Sequence, residues 1–283
     1  LLNLVLTLAT LGLYRPFAAV AVARMRIGAL ALEPAGSLDE IVASIDAHRE
    51  LAIGSETVDL LGFEHKGWGW TAQIPGFSLL AEDFPDPWLH IWELGATTAE
   101  FRPGIVIPLE PFCGVMGVGP ADPGRVNTIP PRLNGGNVDI RQLVAGSTVY
   151  FPVLVPGALF SLGDTHAAQG DGEVCGTAIE ATFTVRARFT LRKDMPIKEL
   201  QYAAPASANR TGPTFNTTAH APDLMVAAKN AVRYMIDHLV ATKGLTRQEA
   251  YALCSVAVDL KISEVVDAPN WIVSASLPLG IFV

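Results

Sequence analysis

The stretch Thr177-Ala-Ile-Glu-Ala-Thr-Phe-Thr-Val-Arg-Ala-Arg-Phe-Thr-Leu191 alternates apolar and polar residues in the manner of a strand with one buried face. It does not stand alone. Gly146 to Pro156 is dense in strong β formers, and Ala158 to Leu162 is a further apolar run. Residues 62–134 carry many Gly and Pro, with short apolar runs at Trp88–Leu94, Ile105–Leu109 and Gly114–Val118 set between turn signals. A long alternating strand needs partners, and these runs supply them.

The C-terminal part reads differently. Residues 203–221 are rich in Pro, Ser, Thr and Asn and read as a loop. Pro222 to Lys243 has a helical pattern stopped by Gly244, and Thr246-Arg-Gln-Glu249 is a capping box opening a second helix to about Val258. Lys261–Val266 and Trp271–Leu277 read as final strands. The expected fold is therefore mainly β, a sandwich or barrel-like core, with a C-terminal α/β portion, α+β overall. The expected divisions are residues 1–57, an atypical N-terminal segment; 58–200, a β-rich core that carries the chemistry; and 201–283, the α/β portion.

Within the first segment, residues 38–52 have helical spacing, with His48 on the surface. Residues 1–23 are apolar but lack the basic start of a signal peptide, and Arg15-Pro16 interrupts any membrane span. The segment is expected to be a core element of a fragment, not a membrane anchor. With a net charge of -8, the 283-residue chain is a poor partner for nucleic acid. Its three cysteines, Cys113, Cys175 and Cys254, form no Cys-x-x-Cys pair and read as reduced thiols of a cytoplasmic protein.

The chemistry concentrates between residues 142 and 185. Asp164, Asp171, Glu173 and Glu180 fall there without a single Lys or Arg, and His166 is the one side chain that can become cationic. Carboxylates held together without bases resist ionisation, and a bound cation removes that conflict. Residues two apart on an extended backbone point the same way, which pairs Asp164 with His166, Asn137 with Asp139, and Asp171 with Glu173. A histidine among carboxylates suits zinc or a harder divalent ion, and the all-oxygen part also suits calcium. The plainer readings stand beside this one: Asp164 as a turn cap, Gly170-Asp-Gly-Glu173 as a hairpin loop, Asp139 as a helix cap. Cys175, two residues after Glu173, is a rival nucleophile, although only His166 is near in sequence to activate it. Trp68, Trp70 and Phe77 could line an apolar pocket but read first as packing residues, as does His90 between Trp88 and Trp92.

Three blocks, Gly135-Gly-Asn-Val-Asp-Ile140, Val149 to Phe160 and Gly163-Asp-Thr-His-Ala-Ala-Gln-Gly-Asp-Gly-Glu-Val-Cys-Gly-Thr-Ala-Ile-Glu180, resemble the acetamidase/formamidase family. The resemblance covers roughly residues 58–283; residues 1–57 depart from it. It implies hydrolysis of formamide or acetamide to ammonia and a carboxylate, a β-rich fold, a metal-dependent site and a homo-oligomer. On that basis Asp139, Asp164 and His166 are expected to hold a divalent metal, zinc first and calcium second. Glu173 or Asp171 is expected to act as general base, with Asn137 and Glu180 binding substrate or supporting the ligands. The alternative expectation is a non-catalytic metal-binding relative lacking the family's N-terminal portion.

Overall fold

The computed structural model describes residues 31–32, 55–207 and 211–282. The helical pattern at 38–52, His48 and the apolar start at 1–23 lie outside them.

The strands are β1 (Ala31–Leu32), β2 (Ser55–Gln73), β3 (Trp88–Glu93), β4 (Thr98–Arg102), β5 (Ile105–Pro108), β6 (Phe112–Gly117) and β7 (Gly135–Asn137). They continue as β8 (Thr148–Pro152), β9 (Ser161–His166), β10 (Glu180–Arg192), β11 (Gln201–Ala204), β12 (Thr214–Ala221), β13 (Asp259–Glu264) and β14 (Trp271–Pro278). Two helices, α1 (Leu224–Lys243) and α2 (Arg247–Ala257), stand between β12 and β13. The described residues are mainly β, with both α-helices in the C-terminal part, as the patterning indicates. No helix among the described residues is long and apolar enough to cross a membrane.

One hydrogen-bonded path runs β13-β14-β12-β11-β8-β2-β10-β9-β6-β7, with β3 added on β2 and β1 on β10. The alternating segment is the centre of it: β10 pairs along almost its whole length with β2. The boundary expected near residue 201 falls inside this sheet, because β11 pairs with β8 on one side and β12 on the other. The two ends of the path then come back together. Gly172 bridges to Glu264 in parallel, Gly172 N–H donates to the Ser263 carbonyl at 3.0 Å, and Asn270 Nδ2 donates to the Pro131 carbonyl at 2.9 Å. That meeting of ends is the barrel-like feature of the fold, and the candidate site lies on it.

The cores divide accordingly. Phe112, Met116, Ile140, Leu143, Val149, Phe151 and Tyr202 fill the larger one between β2, β6, β8 and β10. The second lies between β12, β14 and the helices, where Ala227, Ala231, Met235 and Leu239 form a stripe at i+4 spacing down α1. Asp223 caps α1 by accepting from Val226 N–H, and Gly244 ends it in the left-handed region at φ 66°. The Thr246–Glu249 capping box is present at the start of α2.

The segment read as a loop at 203–221 contains β12, which is buried along nearly its whole length. Its polar side chains mislead because they are satisfied internally. Asn216 Nδ2 donates to Thr214 Oγ1 at 2.9 Å, Thr217 Oγ1 to the Ala231 carbonyl at 2.8 Å, and Thr218 Oγ1 to the Leu200 carbonyl at 2.6 Å.

Candidate active site

β9, β6 and β7 lie side by side in the sheet. His166 closes β9 opposite Glu180, the first residue of β10. Asn137 closes β7, and Asp139 follows two residues later. Among the described residues, three of the five non-glycine residues with positive φ are here: Asp139 at 44°, Asp164 at 51° and Glu173 at 46°. Such backbone is uncommon and persists where surrounding contacts over-determine it, a condition found often at functional sites.

A cavity of about 280 Å³ is lined by Asn137, Asp139, Asp164, Glu173, Glu180 and Asp267, together with Trp68, Trp70 and Phe77. No Lys or Arg lines it. His166 is buried to 1% exposure and is the hub. Its Nε2 lies 3.3 Å from Glu180 Oε1 and 3.5 Å from Asp164 Oδ2, and its Nδ1 lies 3.8 Å from Asp139 Oδ1. Two sets of ligand-type atoms lie close enough together to share an ion: Asp139, His166 and Glu173; and Asp164, His166 and Glu180.

The electrostatics follow from this crowding. Burial, then the charge of Glu173, pushes the Asp139 carboxyl well above its ordinary range. Burial also pushes Glu173 well up, with Glu180, Asp164 and Asp267 adding to it and His166 opposing. Glu180 is raised by burial against the pull of His166. Burial alone would lower His166, but the charges of Glu180 and Asp164 outweigh it and hold the imidazole well above its usual value. Buried polar atoms left without a hydrogen bond include Asp139 Oδ1 and His166 Nε2. Orphans of this kind are rare and call for a ligand.

Gly114 makes the approach possible. A Cβ there would stand 2.4 Å from Asp139 Oδ1 and 2.6 Å from His166 Cε1. Gly114→Ala is therefore expected to displace one of them and to cost about 1–3 kcal/mol of stability, read from denaturant unfolding. A variant as stable as the parent would show that the Asp139–His166 pair yields freely.

Most residues singled out from sequence gather here: Asn137, Asp139, Asp164, His166, Glu173 and Glu180. Asp171 stands apart. It is exposed, accepts from Gln142 Nε2 at 2.7 Å, and lines a neighbouring cavity of about 430 Å³. Gly172 at φ 94° and Glu173 at φ 46° break the extended backbone on which the two-residue pairing rule depends. Cys175 also lines that second cavity, with its Sγ donating to the Thr177 carbonyl at 3.2 Å. Cys113 and Cys254 are buried core residues, and no disulfide forms among the described cysteines. His90 packs as expected, stacked on Trp88 and edge-on to Trp92. Trp68, Trp70 and Phe77, read from sequence as packing residues, instead line the acid cavity.

Asp267 was not among the expected residues. It is 1% exposed, accepts a hydrogen bond from Asn137 Nδ2, and its carboxyl is pushed up to about 6, chiefly by burial. It comes from the far end of the sheet path, so no local spacing connects it to the others.

Comparison with known proteins bears on this constellation. Residues 122–283 match the model of the acetamidase/formamidase family. The chain belongs to the acetamidase/formamidase family. A formamidase of Methylophilus methylotrophus is 32% identical, over 67% of this chain and 52% of its own length. The crystal structure of an acetamidase from Bacillus halodurans superposes with a TM-score of 0.72 at 31% identity, covering 81% of this chain and 75% of that one. A γ-lactamase from Delftia acidovorans matches with a TM-score of 0.53 at 28% identity, over 82% of this chain and 74% of that one. The chain spans about half the length or less of the curated relatives it matches. Residues 1–60 match a different model, DUF898, described as a bacterial protein of unknown function. All the acids of the cavity lie in the part that matches the acetamidase/formamidase family, whereas Trp68, Trp70 and Phe77 precede it.

Proposed function

We propose that the chain hydrolyses short linear amides, formamide or acetamide, to ammonia and the carboxylate. The observation that carries the reading is the convergence of five carboxylates around His166 in a small cavity with an aromatic wall, within a chain of this family. The two orphaned atoms, Asp139 Oδ1 and His166 Nε2, fit a divalent cation. His166 would hold it with Asp139 and Asp164, joined by Glu180. Zinc suits this mixed donor set best, and calcium is the second choice. When bound, such an ion supplies polarisation of the amide carbonyl or activation of water.

The chain's own residues do the rest. Glu173, its proton affinity raised by burial, takes a proton from the attacking water and delivers it to the departing nitrogen. An amide leaves as ammonia only once its nitrogen is protonated, so a base that then returns its proton is required. Trp68, Trp70 and Phe77 pack against the acyl group and restrict water. Asn137, held by Asp267, presents an amide group to the cavity to orient the substrate. We place the protein in the cytoplasm as a homo-oligomer, in keeping with cysteines that form no disulfide and with the family resemblance.

The test is ammonia release from formamide and acetamide by this chain, before and after chelation. Turnover is expected to fall at least tenfold with chelator and to recover on adding zinc. Undiminished turnover by metal-free protein would remove the cation from the reading. Cys175→Ala is expected to leave turnover unchanged, since Cys175 faces the neighbouring cavity. A second reading, a non-catalytic metal-binding relative, draws on the match of residues 1–60 to another family. Cation binding without turnover would decide for it.

A further inference from the structure

Gln169 lies three residues after His166, where the chain leaves β9. Its side chain spans two members of the site. Nε2 donates to the Asp139 backbone carbonyl at 2.7 Å, and Oε1 lies 2.9 Å from His166 Nδ1. The order of these two contacts is fixed by chemistry. A backbone carbonyl only accepts, so the amide NH₂ of Gln169 must face Asp139. Its oxygen is then left facing His166, and an amide oxygen only accepts. His166 Nδ1 must therefore carry a hydrogen, and in the neutral ring, the form that can bind a cation, the lone pair stands on Nε2. That is the atom with no hydrogen bond, turned toward Asp164 and Glu180.

We propose that Gln169 is a positioning residue: it locks His166 in the form that keeps Nδ1 protonated and aims Nε2 at the acid cavity. The same side chain also ties down the carbonyl of Asp139, whose backbone sits at φ 44°. One amide thus sets the ring orientation of the histidine and the placement of a facing carboxylate. Outer partners of this kind raise ligand basicity, and their loss weakens metal binding by about 10–100-fold. The inference rests on reading His166 as a cation ligand, and its test separates the two.

The full chain, stripped of metal, is titrated with zinc by calorimetry as the parent, Gln169→Leu and Gln169→Glu. Gln169→Leu removes both contacts and is expected to weaken zinc binding about 10–100-fold. Gln169→Glu keeps an acceptor for Nδ1–H while losing the donor to Asp139, and is expected to bind within about threefold of the parent or tighter. Equal weakening in both would assign Gln169 to holding Asp139 alone and overturn the proposal. In ¹H–¹⁵N spectra the parent is expected to show a protected downfield His166 Nδ1–H, with or without zinc, which Gln169→Leu loses and Gln169→Glu keeps. Zinc-loaded parent with Nδ1 metallated and Nε2 protonated would overturn the proposal. If the parent takes up no zinc, the ligand reading fails on its own; absence of the protected Nδ1–H from the metal-free parent would still overturn the role of Gln169.

Discussion

Glu173→Gln is expected to lower kcat for formamide by about 10²–10⁴-fold, the usual contribution of a positioned base, while leaving the protein folded and at least as stable as the parent. Glutamine has the shape of glutamate but cannot take up the proton of an attacking water. Glu173 is 7% exposed and held among Glu180, Asp164 and Asp267, so the substitution also removes a buried negative charge from a repulsive group. Activity and stability should therefore move in opposite directions, which general damage to the fold would not produce. Asp171→Asn serves as the control in the same motif. Asp171 is exposed and bonded to Gln142 beside the other cavity, so its loss is expected to change kcat less than threefold. Ammonia release measured for both variants checks the assignment. If Glu173→Gln retained more than a tenth of the parent kcat, Glu173 would no longer be the base.

The contrast between Asp171 and Glu173 shows what was legible before the structure. The cluster was visible as an absence: no Lys or Arg between residues 142 and 185, where four acids and His166 stand. Burial without counter-charge is a property of the segment, so it survives folding. The pairing of residues two apart holds only where the backbone extends, and it failed at Gly172–Glu173 for that reason. The helices were legible from their caps, Gly244 and the Thr246–Glu249 box, because capping is local chemistry. β12 was not, since Asn216, Thr217 and Thr218 donate to the carbonyls of Tyr202, Ala231 and Leu200, partners that a local window of sequence does not contain. Asp267 and the aromatic wall were missed on the same ground. They reach the cavity from opposite ends of the chain, and only the closure of the sheet path joins them.

That closure places a second acid under tension, and the consequence is a pH dependence of stability. Glu264 ends β13, is fully buried, and accepts from the N–H groups of Val266 and Asp267 through Oε1, while Oε2 has no hydrogen bond. Burial first, and the charge of Asp267 second, pushes its carboxyl up to about 8. Unfolded, the same group titrates near 4.5. Below 4.5 both states are protonated and Glu264 imposes no penalty on folding. Between 4.5 and about 8 the folded chain keeps a proton that the unfolded chain has released, so stability falls as pH rises, by about 1.4 kcal/mol per unit at most. Asp267, raised to about 6, adds to the loss in the lower part of that window. The metal-free chain is therefore expected to be less stable at pH 8 than at pH 5 by several kcal/mol. Glu264→Gln should remove the share of the slope that Glu264 contributes, because glutamine reproduces the neutral acid. Its oxygen can still accept from the two N–H groups, and its NH₂ stands where Oε2 already lacks a partner. Urea unfolding of both proteins in chelator at half-unit steps from pH 5 to 8 makes the comparison. The variant should exceed the parent by about 2–4 kcal/mol at pH 8 and match it near pH 5. Parallel curves would mean that Glu264 is ionised in the folded protein, and that its two backbone hydrogen bonds overcome burial and Asp267 together.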